Sequence, residues 1–155
     1  MPTPEFVLRL RERIGHDLLW LPGVTAVVHD PAGLVLAVRR ADSGRWTLPS
    51  GIPDPGEEMA VACAREVHEE TGVSVVVDRL LSLATLPRTT YPNGDVCQFV
   101  DHTFVCRAVA GEAHVADDES VDVAWLAPGD LGRLHGQAER ARLAAGPAGP
   151  TRFGV

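Results

Sequence analysis

Glu66, Glu69 and Glu70 are the residues of this chain whose type and spacing could do chemistry. The run from Glu58 to Thr71 contains no proline or glycine, and Gly72 follows it, so the run predicts one helix. Spacings of three and four residues place the carboxylates on neighbouring turns, where each like-charge pair costs about 0.2–0.5 kcal/mol. Clustered carboxylate oxygens suit a hard divalent cation, Mg²⁺ or else Mn²⁺. The helix is therefore a candidate metal platform.

The other side of the same predicted helix is mostly apolar. At about 100° per residue, one stripe carries Ala60, Cys63, Ala64, Val67 and Thr71. This stripe is expected to pack, while the three glutamates occupy another side. The simpler alternative is that the glutamates only form a solvated face, which is common for acidic residues.

The stretch from Gly51 to Val73 resembles the Nudix box, the signature of the Nudix hydrolase family. Every fixed position of the box matches: Gly51, Glu57, Arg65, Glu66, Val67, Glu69, Glu70, Gly72 and Val73. Because so many residue types must agree over 23 positions, the match is far more specific than a lone glycine-rich motif. A looser resemblance extends from about Val24 to Trp125 and covers most of the chain.

The resemblance implies a fold and a reaction. The implied fold class is α/β, a Nudix α/β/α sandwich with a mixed β-sheet between helices and the box helix against one face. The implied reaction is Mg²⁺-dependent hydrolysis of a nucleoside diphosphate linked to another group, which gives a nucleoside monophosphate and the phosphorylated group. A nucleotide sugar or an ADP-ribose type compound is the first expected substrate, and a nucleoside triphosphate, including an oxidised one, is the second. The alternative is a nucleotide-binding module without turnover, against which the three intact carboxylates argue.

Roles inside the box follow from the same resemblance. Glu66, Glu69 and Glu70 are the implied metal ligands, and the backbone carbonyl of Ser50 is a further one. Many family members carry a second glycine where this chain has Ser50. A carbonyl ligand needs no particular side chain, but a positive φ at this position would strain a serine.

Two further roles are implied for residues around these ligands. Glu57 and Arg65 are expected to pair and brace the loop against the helix, because the planar guanidinium matches a carboxylate better than a lysine amine does. Glu119 stands six residues before Trp125, which resembles the placement of the Nudix loop carboxylate that adds a metal ligand or a general base. The base is then Glu69 or Glu119. The simpler interpretation of Glu119 is a solvated acid.

Three aromatic or basic residues are candidates for substrate contacts. Arg39 and Arg40 end a predicted strand that in Nudix enzymes often faces the phosphates, and one of the two is expected to contact the substrate. Trp46 either stacks on a base or packs beside the loop, as large aromatic side chains more often do.

Further candidates follow the box. Tyr91 begins a turn that Asn93 and Gly94 favour, and it either contacts the nucleobase or belongs to a plain solvent turn. Gln98, Asp101 and His102 on the next predicted strand either line a pocket or mark an edge strand.

Composition excludes several classes of protein. The chain has 155 residues, of which 45% are hydrophobic, and is expected to form a single domain over residues 1–155. A net charge of −7 argues against general nucleic-acid or anionic-membrane binding, so the expected partner is a small-molecule nucleotide derivative. Three cysteines without C-x-x-C spacing indicate buried thiols in a reducing compartment. With no signal peptide pattern and no long apolar run, a cytoplasmic location is expected.

Flanking helices are predicted at both ends of the domain. A helix over about residues 4–20 is indicated by a stripe of Phe6, Leu10, Ile14 and Leu18. The arginines Arg9, Arg11 and Arg13 are assigned to its solvated side. A second helix is predicted over about residues 130–145, before Gly146. The N-terminal helix is expected to be scaffold or a homodimer contact, the homodimer by fold-level analogy.

Overall fold

A mixed β-sheet forms the centre of the protein in the computed structural model, which describes residues 3–154. The strands within these residues are β1 Leu19–His29, β2 Val35–Arg40, β3 Trp46–Thr47, β4 Ser50–Gly51, β5 Ser74–Thr85, β6 Thr89–Thr90, β7 Val96–Ala110, β8 Ser120–Leu126 and β9 Arg152–Phe153. The main order is β3-β2-β1-β7-β5-β9, with β4 beside β1, β6 beside β7 and β8 beside β2. The two central strands, β1 and β7, run parallel from Leu19 opposite Cys97 to His29 opposite Arg107.

Helices cover both faces of this sheet. They are α1 Glu5–Ile14, α2 Met59–Thr71 and α3 Ala138–Ala145, with a 3-10 helix at Pro128–Arg133 before α3. The predicted box helix is confirmed as α2, which ends at Gly72 with a left-handed φ of 71°. The predicted α/β class with a mixed sheet between helices is also confirmed.

Alternation along β1 builds two separate cores. Val24, Ala26 and Val28 lie in one buried cluster together with Ala62, Cys63 and Val67 of α2. Val27 lies in another, together with Ala141 and Ala144 of α3. Successive side chains of a strand point to opposite faces, so one apolar strand supports both helices. The sheet thereby fixes α2 and α3 on opposite sides.

The predicted N-terminal helix is wrong in its second half. It ends at Ile14, and Gly15 follows with a φ of 58°. Leu19 and Trp20, expected in the helix, instead open β1 and pair with β7. Short apolar runs fit a strand as well as a helix, and here the parallel pairing with β7 decides the outcome.

The predicted C-terminal helix over residues 130–145 is also wrong as one continuous element. The structure has the 3-10 helix first and α3 only from Ala138. Gly136 between them has a φ of 67°, and Leu134 is extended at a ψ of 106°. Leu131 and Leu134 are buried in the core beside α3. The extended Leu134 and the left-handed Gly136 therefore interrupt the helix before Ala138.

The expectation of buried thiols is confirmed, because Cys63, Cys97 and Cys106 are all buried and free. β1 and β2 pair antiparallel through His29 and Val35, while most of β2 pairs with β8. Within residues 3–154, none of the helices has the length and apolar character needed to cross a bilayer.

Candidate active site

The short strand β4 positions the loop of the box next to α2. Ser50 and Gly51 pair with Thr25 and Val24 of β1, and this pairing holds the loop over α2. A side chain on Gly51 would overlap the carboxylate of Glu66, so only glycine allows this approach. No non-glycine residue within residues 3–154 has a positive φ, so Ser50 adopts its place without backbone strain.

Arg65 joins the loop to three carboxylates. Its Nε and Nη2 donate to the two oxygens of Glu57, both at 2.8 Å, in the bidentate pair that the resemblance implied. Its Nη1 donates to Glu66 at 3.0 Å and to Glu69 at 3.1 Å. The hydrogen bonds from Arg65 hold the pKa of Glu57 below its usual value. A single guanidinium therefore orders both the loop and two implied metal ligands.

Glu66 and Glu70 are buried carboxylates with unsatisfied oxygens. Glu66 is 1% exposed and Glu70 is 4% exposed. The Oε2 atom of each accepts no hydrogen bond from residues 3–154. Burial raises the pKa of Glu66 to about 7 and that of Glu70 to about 8. Two buried acids with unpaired oxygens are costly unless a positive charge joins them.

A divalent cation fits this chemistry. The available donors are hard carboxylate oxygens, which suit Mg²⁺ or Mn²⁺. Across residues 3–154, no three acidic, histidine or cysteine side chains already converge in the way a metal would hold them. Glu66 and Glu69 instead share Nη1 of Arg65, and Glu69 is partly exposed at 44%. Arg65 thus holds Oε1 of Glu66 and Oε2 of Glu69, and Oε2 of Glu66 is left for a cation.

A cavity of about 470 Å³ opens beside these residues. Arg40, Ser50, Gly51 and Glu119 line it on one side. Arg40 makes a two-pronged contact with Asp42, at 3.0 and 2.8 Å. The Asp42 hydrogen bond raises the pKa of Arg40, and the nearby Glu119 and Glu70 carboxylates raise it further. The guanidinium of Arg40, held by Asp42, thus lies at the cavity wall near the carboxylates of Glu119 and Glu70.

The acidic loop before β8 is attached to the end of the box helix. The amide of Ala116 donates to the carbonyl of Glu70 at 3.2 Å, and that of His114 donates to the carbonyl of Thr71 at 3.0 Å. The carbonyl of Glu119 accepts from the amide of Ala41 at 2.7 Å. These bonds bring Glu119 to the same cavity as Ser50 and Arg40.

The other predicted substrate contacts separate into two groups. Tyr91 lines the cavity, where burial raises its pKa. Arg39 is exposed and donates to the carbonyl of Gly44 at 3.1 Å, so the two adjacent arginines take different roles. Trp46 packs against the core on the α3 side, with the guanidinium of Arg133 at 4.8 Å from its ring centroid. Packing, the alternative considered for Trp46, therefore describes its position.

Gln98 and His102 make their polar contacts away from the cavity. The Gln98 amide donates to the carbonyl of Leu86 at 3.1 Å. His102 Nδ1 lies 3.1 Å from the carbonyl oxygen of Gly23. Both side chains thus link the strand to neighbouring backbone. Asp101 does line the cavity and is buried.

Sequence reasoning missed several residues of the cavity wall. Arg11 was assigned to a solvated face, yet its side chain is only 10% exposed and donates to the carbonyl of Val96 at 2.8 Å. It lines the cavity together with Thr25 and Gln137. Arg11 and Val96 lie 85 residues apart in the chain, and local patterns carry no signal for such contacts.

Comparison with known proteins places this site in a family. The model of the NUDIX domain matches residues 19–146. A MutT-like protein of Streptomyces ambofaciens is 36% identical over 129 residues, which span 82% of this chain and 78% of the relative. An 8-oxo-dGDP phosphatase of Homo sapiens is 30% identical over 125 residues, 79% of this chain but only 35% of that longer protein.

Solved structures show the same fold. The chain resembles an ADP-ribose pyrophosphatase from Streptococcus suis 89-1591 with a TM-score of 0.67, at 23% identity. The alignment covers 89% of this chain and 98% of the other. At this identity the likeness concerns the fold, whereas the domain match and the Streptomyces relative concern the sequence itself. The chain therefore belongs to the Nudix hydrolase family.

Proposed function

We propose that the protein is a metal-dependent pyrophosphohydrolase that cleaves a nucleoside diphosphate linked to another group. One observation carries the proposal: Glu66 presents an unpaired buried oxygen and lies directly behind Gly51 of the loop that lines a cavity of about 470 Å³, and Glu70 on the same helix presents a second unpaired buried oxygen. The cavity volume lies within the range of about 300–1,000 Å³ that is usual for small-molecule sites. Acids that need a cation thus adjoin space that could hold a nucleotide.

The proposed ligands of the cation are Glu66, Glu69, Glu70 and the carbonyl of Ser50, with Glu119 as a further one. A bound Mg²⁺ would neutralise diphosphate charge and lower the pKa of a coordinated water. Nudix relatives generally use divalent ions, and the hard oxygen donors favour Mg²⁺ over softer metals. Manganese is the alternative with the same preference for oxygen ligands.

Other side chains orient the substrate and move a proton. Arg40 faces the cavity and is the proposed contact for the phosphates, since a guanidinium matches phosphate oxygens in two-pronged geometry. Glu119 lines the same cavity and is the preferred general base. Glu69, the alternative base, is held by Arg65 at 3.1 Å. Glu69 is not among the residues that line the cavity, so Glu119 is taken first.

The order of expected substrates changes with the comparisons. The sequence favoured a nucleotide sugar or ADP-ribose, with a nucleoside triphosphate second. The human relative, an 8-oxo-dGDP phosphatase, now supports an oxidised purine nucleotide first. The ADP-ribose likeness comes from the fold alone. A homodimer and a cytoplasmic location stay predictions of the sequence.

A product assay over a substrate panel tests the proposal. The purified protein is incubated with Mg²⁺ and, separately, with nucleoside triphosphates, oxidised triphosphates, ADP-ribose and nucleotide sugars. We expect release of a nucleoside monophosphate from at least one of them, and release at least about a hundredfold slower by the Glu70→Gln variant prepared in the same way. Binding of nucleotides without product across the whole panel would instead favour a binding module.

A further inference from the structure

The end of the cavity that lies toward α3 has a polar wall of buried groups. Asp101, Thr25 and Gln137 line it. The side chain of Asp101 is only 5% exposed. Asp101 lies on β7, Thr25 lies on β1 and Gln137 directly precedes α3, so all three are separate from the box. Asp101 and Thr25 are buried and Gln137 is half-buried, and polar groups held in a cavity wall in this way can orient a ligand.

The hydrogen bonds of Asp101 leave one acceptor position open. Its Oδ2 accepts from Thr103 Oγ1 at 2.7 Å and from Arg140 Nη1 at 3.0 Å. Its Oδ1 accepts from Thr25 Oγ1 at 2.7 Å. A carboxylate offers about four acceptor sites, so three are used and Oδ1 retains one. Asp101 and Thr25 both line the cavity, so this hydrogen-bonded pair lies at its wall.

Gln137 supplies the complementary donor. The amide N–H of Leu48 donates to its side-chain oxygen at 2.7 Å. A donor must face an oxygen, so this contact fixes the orientation of the Gln137 amide. Its NH₂ group makes no hydrogen bond to any residue in the described part of the chain. The cavity wall thus offers a donor from Gln137 and an acceptor from Asp101.

Arg140 keeps this pair in place. Its guanidinium forms an ion pair with Asp101 at 3.0 Å and holds Oδ2 on the α3 side. Arg140 follows Gln137 by three residues, so one helical turn carries both. Because the carboxylate charge is balanced by Arg140, the wall suits a neutral ligand better than a cationic one.

We propose that Asp101 and Gln137 bind the edge of a nucleobase that carries a ring N–H next to a carbonyl, as hypoxanthine and guanine do. This inference rests on the proposed function. The carboxylate accepts from the ring N–H, and the Gln137 amide donates to the carbonyl oxygen. Hydrogen bonds to an ionised acceptor are the strong ones, and a ring N–H beside a carbonyl is a good donor. Phe99 and Tyr91, which also line the cavity, cover the faces of the base.

Binding of inosine 5′-monophosphate tests the proposal without any need for turnover. The monophosphate is not a substrate, so its binding can be measured by titration calorimetry in Mg²⁺ buffer. N1-methylinosine 5′-monophosphate lacks the ring N–H and is the matched ligand. The wild-type protein is expected to bind inosine monophosphate at least about tenfold more tightly than the methylated form.

A protein variant tests the donor separately. Gln137→Glu keeps an oxygen for Leu48 and removes the NH₂ group, so we expect at least about tenfold weaker binding of inosine monophosphate. The control Arg142→Gln changes the net charge by the same amount at an exposed position of α3 and is expected to bind like the wild type. The ligand pair is measured on unaltered protein, so its result does not depend on the folding of any variant.

Equal or undetectable binding of the two inosine ligands would overturn the proposal. Unchanged binding of inosine monophosphate by Gln137→Glu would show that the Gln137 amide is not the donor. These outcomes are independent of the substrate panel. Discrimination between the two inosine ligands, with no product from the substrate panel, would support base binding and contradict turnover. Product from the panel, with no discrimination between the ligands, would support turnover and contradict base binding.

Discussion

The carboxylate of Glu66 occupies the space in which a side chain on Gly51 would stand. This contact joins β4 to α2, and it buries an acid under the loop that leads into the helix. Neither partner can change size without moving the other, because protein interiors leave few voids.

Replacing Gly51 with alanine should therefore damage both stability and activity. The new methyl group must displace the Glu66 carboxylate, and overpacking of this kind costs about 1–3 kcal/mol. Turnover of the best panel substrate should fall by at least about tenfold, because displacing Glu66, a proposed metal ligand, misaligns the reacting groups. Gly132→Ala is the control, since a side chain there meets open space. Similar losses of melting temperature and of turnover rate in both variants would show that displacement of Glu66 is not the cause.

Glu70→Gln should leave the fold intact and reduce turnover by at least about a hundredfold. The substitution preserves volume but removes a negative charge from the proposed cation site. Steady-state rates and circular dichroism measure the two effects. Glu58→Gln, at an exposed position just before α2, serves as the control. A rate close to that of the wild type would exclude Glu70 as a ligand.

Glu119→Gln should lower turnover and change its dependence on pH. If Glu119 accepts the proton, the variant lacks the base, and the dependence of the rate on pH should change in shape. Asp118→Asn, its exposed neighbour in the same loop, should behave like the wild type. A variant profile of unchanged shape would assign the base to another residue, with Glu69 as the next candidate.

Stability without metal should fall as the pH rises. The folded-state pKa values of Glu66 and Glu70, about 7 and about 8, exceed the ordinary value of 4.5. The folded state therefore binds more protons, and the contribution of both groups is complete below pH 4.5 and lost as the pH passes through about 7 to 8. The melting temperature in chelator should drop between about pH 4.5 and about pH 8, by roughly 2–4 °C for each kcal/mol lost.

A double variant, Glu66→Gln with Glu70→Gln, provides the comparison for that experiment. Its melting temperature should depend less on pH over the same range, since neither amide titrates. Added Mg²⁺ should stabilise the wild type more at high pH, because a cation binds the ionised carboxylates. An equal drop in both proteins would place the titrating groups elsewhere.

The sequence predicted the box helix and its ion pair well because those features are local. A run without glycine or proline gives α2, and the eight-residue spacing of Glu57 and Arg65 lets them meet across one loop. Burial of Glu66 was not predicted. It depends on β4, a two-residue strand that pairs with β1 some 25 residues earlier in the chain.

Residues that depend on docking between distant segments escaped prediction. Arg11 and Gln137 approach the cavity from the two flanking helical regions, 85 and 89 residues from the backbone groups they bond. Periodicity assigns such residues to a face of a helix, but it does not say what the face meets. The end of α1 was missed for the same reason, because the pairing of Leu19 with Cys97 decides it.

The placement of α2 and α3 on opposite faces of the sheet has a consequence for how this scaffold can diversify. In the proposed function the acids on α2 handle phosphates, which every nucleotide shares, and in the proposed base site the segment around α3 contacts the part of the ligand that differs between nucleotides. Exchanging residues near Gln137 could redirect the enzyme toward another base while leaving the hydrolytic apparatus untouched. A library confined to that segment would explore new selectivity at little risk to the chemistry.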